Sequence, residues 1–122
     1  MFILDTNILI YHNNGDRKVS DFILQTLRQP ERLCVATISL VEFLSYPELR
    51  KNEKDFFVNL LGQLIVISLD YRHALTAAEI KRNYQLNLPD SIIAATAILG
   101  GGVLVSRDKE FKKIKEIEVI DL

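Results

Sequence analysis

Short runs of consecutive apolar residues alternate along this chain with longer stretches in which apolar residues recur every three or four positions. Phe2-Ile3-Leu4, Leu33 to Ile38, Leu64 to Leu69 and Val103-Leu104-Val105 have the length and continuity of buried strands, and Glu118 to Ile120 reads as a last edge strand. Helical spacing fills the intervals. Asp5-Thr6-Asn7 starts a helix carrying Ile8 to Tyr11, and Val19, Phe22, Ile23, Thr26 and Leu27 stripe a second that ends before Pro30. Ser39-Leu40-Val41-Glu42 opens a third that must stop near Pro47. Phe56, Phe57, Leu60 and Leu61 mark a fourth from about Asn52 to Leu61. Asp70 caps a fifth, expected to turn Tyr71, Leu75, Ala78 and Ile80 inward. The sixth, from Leu88 through Ala97, is apolar except near its start, has Pro89 in its first turn and is ended by Gly100 to Gly102. Arg107 to Lys113 reads as a short charged helical turn.

Strands that are apolar on both faces need cover on both faces, so the pattern predicts a three-layer α/β/α sandwich around a central, mostly parallel sheet. At 122 residues the chain has room for one core, and residues 1–122 are read as a single domain. In such sheets ligands bind beyond the carboxyl ends of the strands, where the search for function belongs.

Composition narrows the classes. With 48% hydrophobic and 25% charged residues the chain is an ordinary folded domain, which excludes disorder. Its net charge of −1 means that a polyanionic partner must be held by a local basic patch or through metal. Cys34 is the only cysteine, so no internal disulfide forms and a reducing compartment is expected. Met1 to Ile8 lacks a basic leader, and no stretch is long and apolar enough to span a membrane, so the expected location is cytoplasmic with no membrane partner. His12 and His73 have no second His or Cys at ligand spacing and are read as surface residues.

Four acids stand where strands hand over to helices. Asp5 follows the first strand, Glu42 lies one turn into the helix after the second, Asp90 begins the sixth helix and Asp108 follows Val103-Leu104-Val105. Singly, each has a structural explanation: Asp5 and Asp108 as turn or cap residues, Asp90 as a helix cap, Glu42 as the capping-box partner of Ser39. Jointly they gather on one rim, where like charges repel unless a cation intervenes. Oxygen ligands alone favour a hard ion, Mg²⁺ or Mn²⁺, over zinc. Thr6 and Ser106 place hydroxyls beside this set, suited to orienting water or phosphate or to turn hydrogen bonds. Arg107 and Lys109, flanking the rim, are candidates to hold phosphate.

The chain resembles the PIN domain family of metal-dependent ribonucleases and, in size, the VapC-like toxins of prokaryotic toxin–antitoxin pairs. Asp5-Thr6-Asn7, Ser39-Leu40-Val41-Glu42-Phe43, Leu88-Pro89-Asp90-Ser91 through Ala97, and Val105-Ser106-Arg107-Asp108 through Phe111 carry the resemblance. It implies a PIN-like fold, with Asp5, Glu42, Asp90 and Asp108 as catalytic and metal-binding acids and Thr6, Asn7 and Ser106 in support. It also implies RNA phosphodiester hydrolysis with Mg²⁺ or Mn²⁺, a cognate antitoxin and a homodimer. Ser106 stands where the family usually has Thr, and the glycine that often precedes its Leu-Pro-Asp segment is absent from Asn83-Tyr84-Gln85-Leu86-Asn87. Two other readings are a PIN-type RNA-processing or catalytically silent RNA-binding module, and a phosphatase with Asp5 as nucleophile. The second lacks the further acid two residues on, where Asn7 stands.

Overall fold

A computed structural model describes residues 1–122. The strands are β1 (Phe2–Leu4), β2 (Leu33–Ala36), β3 (Ile65–Ile67), β4 (Val103–Val105) and β5 (Glu118–Ile120). The helices are α1 (Thr6–Asn13), α2 (Arg17–Leu27), α3 (Thr37–Leu44), α4 (Lys51–Leu61), α5 (Tyr71–Tyr84) and α6 (Leu88–Gly100), with a 3-10 turn over Lys109–Lys113. All strand pairs are parallel, in the order β3-β2-β1-β4-β5.

Alternation along the strands divides the core. Leu4, Leu33, Val35 and Val105 face α1 to α4, packing on Ile8, Val19, Ile23, Phe43 and Phe57. Ile3, Cys34, Ala36 and Leu104 face the other way, against Ile80, Ile93, Ala94, Ala97 and Phe111. Both faces of the central strands are therefore buried, as continuous apolar strands require. Helix α6 is buried at every position from Ser91 to Ala97 because it lies between α5 and the sheet, and its alanines permit that close approach. Gly101 ends it at φ 64, a left-handed conformation that costs glycine little.

Several sequence expectations need correction. Strand β2 stops at Ala36 and α3 begins at Thr37, so Ser39 lies inside the helix and is no cap; none is formed by a side chain there. The run from Leu64 to Leu69 yields only three strand residues, and Ile65 and Val66 are exposed because β3 is an edge. In α5 the buried positions are His73, Ala77 and Ile80, whereas Tyr71 and Leu75 are 76% and 56% exposed. The helix has two apolar stripes, and the one containing His73 faces the core. Neither histidine is a surface residue. His12 is buried with Nδ1 2.8 Å from the Ser20 hydroxyl and its ring against Phe56, and His73 is buried with Nδ1 2.8 Å from Asp70 Oδ1.

Candidate active site

The chain runs outward from β1 through β2 to β3, then crosses back to β4 and β5, so the topological switch falls between β1 and β4. Asp5 and Ser106 are the first residues past those two strands. The Ser106 hydroxyl donates to Asp5 Oδ2 at 2.9 Å, bridging the switch, and itself accepts the Asp108 backbone N–H at 3.0 Å. With its lone pair engaged by Asp108, the Ser106 hydrogen is directed at Asp5. Asp5 is only 3% exposed, and its side chain makes no cap bond to α1, which sets aside its reading as a helix cap.

A second hydroxyl holds Glu42. Thr6 Oγ1 lies 2.7 Å from Glu42 Oε1 and 2.8 Å from Ser39 Oγ. Thr6 has one hydrogen, which the charged acceptor takes; Ser39 then donates to Thr6. Fully buried Ser39 thus anchors a relay ending on Glu42. Sequence reasoning gave Ser39 only a capping role, although its position one turn before Glu42 was the available signal.

Asp90 is the third residue of α6 and half-buried. The cap of that helix is Asn87, whose Oδ1 accepts the Asp90 N–H at 2.8 Å, so the Asp90 carboxylate is not needed for capping. Asp108 does cap, accepting the Glu110 N–H at 2.9 Å ahead of the 3-10 turn. Asn7 is exposed on the first turn of α1.

The acids act on one another. Burial pushes the Asp5 carboxyl up to about 6; the Ser106 hydrogen bond opposes this, while Asp90 and Asp108 push further upward. Burial also raises Asp90, joined by the charges of Asp108, Glu42 and Glu110. This is the field a bound cation would relieve, and the donors are carboxylate oxygens, which suits a hard divalent ion. No three of these groups converge closely enough to enclose one ion. One or two of these carboxylates would hold such an ion, the donor chemistry that Mg²⁺ takes.

Of the two basic residues singled out, Lys109 is exposed at the rim. The Arg107 guanidinium is committed elsewhere: two nitrogens donate to Asp16 at 2.7 and 3.0 Å, the third to the Leu122 carbonyl at 3.2 Å, and its plane lies 4.7 Å from the Tyr11 ring centre. Asp16 also caps α2, so this clamp ties the α1–α2 turn to the β4 exit.

No curated protein sequence matches the chain. Among solved structures, VapBC2 from Rickettsia felis, bound to a promoter DNA fragment, aligns at TM-score 0.86 and 19% identity over 99% of this chain and 98% of that one. A toxin–antitoxin complex from Klebsiella pneumoniae aligns at 0.83 and 25% identity, over 98% of this chain and 96% of that one. DNA-bound VapBC from Salmonella typhimurium gives 0.85 and 22%, with 98% and 96% covered. The PIN domain family model matches residues 2–117, nearly the whole sheet and all four rim acids, and the chain belongs to that family.

Proposed function

We propose that this protein is a metal-dependent endoribonuclease and the toxin component of a toxin–antitoxin pair. The observation that carries the proposal is the buried Asp5, fixed by Ser106 across the switch point, with its carboxyl raised by burial and by the charges of Asp90 and Asp108. Similarity to chains from toxin–antitoxin complexes supports the biological setting and an antitoxin partner. Asp5 and Asp90 would hold Mg²⁺ or Mn²⁺, with Glu42 and Asp108 acting through water or at a second ion. The chemistry supplied by such an ion would be a more acidic water, compensation of phosphate charge and stabilisation of the departing oxyanion. The chain's part is orientation: Ser106 fixes Asp5 and Thr6 fixes Glu42, while the exposed Asn7 and Lys109 would meet substrate phosphate.

Incubating the protein with total RNA and mapping the ends tests this. Cleavage requiring Mg²⁺ or Mn²⁺, abolished by EDTA and leaving 5′-phosphates, is expected, because attack by water leaves the ribose 2′-OH unused. A 2′,3′-cyclic phosphate would exclude the mechanism. Expression alone should arrest growth in the cytoplasm and be silenced by the cognate antitoxin. The unpartnered Tyr71 and Leu75 stripe of α5 supports a homodimer, which sedimentation at micromolar concentration would detect.

A further inference from the structure

Gln85 is the only residue besides glycine with a positive φ, at φ 56 and ψ 39. This is the left-handed conformation that glycine adopts without cost and that a residue with a Cβ adopts under strain. It closes α5 and lets Asn87 cap α6 two residues later. A position that calls for glycine but carries a long amide needs a reason in the side chain.

The side chain stands at a cavity of about 370 Å³ that opens beside Asp90 and is lined by Tyr84, Gln85, Asn87, Glu110 and Lys113. This is within the size range of small-molecule pockets. Tyr84 is held in place, its hydroxyl donating to Glu116 at 2.9 Å and accepting the Lys115 N–H at 3.3 Å. Lys113 is paired with Glu110. Asn87 spends its oxygen on the Asp90 N–H. The exposed Gln85 amide makes no such bond, and its donor and acceptor are both free. The Tyr84 ring packs against the core and forms a fixed wall of the cavity, and a free amide beside such a wall is the chemistry that reads the edge of an unstacked nucleobase by hydrogen bonds.

We infer that this cavity receives one base of single-stranded RNA, next to the phosphate held at the acidic rim, and that Gln85 reads the edge of that base. The inference rests on the ribonuclease reading and adds a sequence preference to it. Gln85→Gly removes the amide while suiting the backbone, so the variant should melt at or above the parent temperature. Mapped cleavage sites of the parent should be enriched in one base beside the cut. The glycine variant should still cut but lose about tenfold of that enrichment, and Gln85→Glu, which replaces the donor by an acceptor, should shift the preference. In EDTA, one of the four nucleoside 5′-monophosphates should move the side-chain amide NMR signals of Gln85 and Asn87 more than the others, with the difference lost in the glycine variant. Identical base enrichment in parent and Gln85→Gly, or a parent that cuts with no preference, would overturn the inference and leave the ribonuclease reading standing. A parent that cuts no RNA would remove both.

Discussion

Asp90 separates two roles that a helix-entrance acid can play. Asn87 already caps α6, so Asp90→Asn leaves the cap intact and deletes one member of a repelling group. In EDTA the variant should melt higher than the parent, lose most of the rise that Mn²⁺ produces, and lose cleavage. Melting unchanged in both buffers, with cleavage retained, would remove Asp90 from the site. Asp5 adds a pH signature. Its carboxyl is held at about 6 against an ordinary 3.8, so the metal-free folded protein retains a proton that the unfolded chain has released. Stability must fall as pH rises from about 4 to 6 and level off above, by on the order of 3 kcal/mol from this group. Asp5→Asn should flatten that decline, giving a metal-free protein more stable than the parent at neutral pH and no more stable below pH 4. Urea titrations in EDTA across this range provide the check.

Between elements, the Arg107 clamp has the opposite sign. The guanidinium holds the Asp16 carboxyl below its usual range, chiefly through their hydrogen bonds, so the stabilisation is present above the ordinary pKa near 3.8 and lost as pH falls through the lowered value. Asp16→Asn should lower the melting temperature at pH 7, with the deficit shrinking in acid; an equal deficit at both pH values would assign the loss to the α2 cap alone. Element by element, the sequence was most legible where burial was complete. Continuous apolar runs marked β1, β2 and β4, and the glycines and Pro89 bounded α6. It was least legible where two solutions share one pattern. Helix α5 offers Tyr71 with Leu75, or His73 with Ala77 and Ile80, as its inward face, and only packing against α6 and the sheet decides between them. The four acids were legible because strand ends in a parallel sheet meet at one rim. The hydroxyls that aim them are legible only in part: Ser106 and Thr6 stand beside the acids in sequence, whereas the contact of Ser39 with Thr6 and the commitment of Arg107, a candidate for phosphate, to Asp16, Tyr11 and Leu122 arise only in the fold.

For the whole molecule, the fold brings four dispersed acids to one rim whose mutual repulsion is a standing cost of the metal-free state. Binding a cation to the folded form alone should raise the melting temperature with the logarithm of ion concentration, the equivalent of about 2.7 kcal/mol at a hundredfold excess over Kd. Calorimetric scans in Mn²⁺, Mg²⁺ and Na⁺ at matched ionic strength should show the rise for the divalent ions; equal curves would deny a metal site.

The Ser106–Asp5 hydrogen bond joins residues 101 positions apart, and β1 pairs with β4 along its length. Synthesis of the 101 residues that separate Asp5 from Ser106 takes roughly 5–20 s at ordinary rates. Throughout that interval β1 has no partner on its β4 side and its carboxylate has no hydroxyl to aim it. The nascent chain therefore stays chemically incomplete until β4 and Ser106 have been made, and the candidate catalytic surface cannot assemble before them.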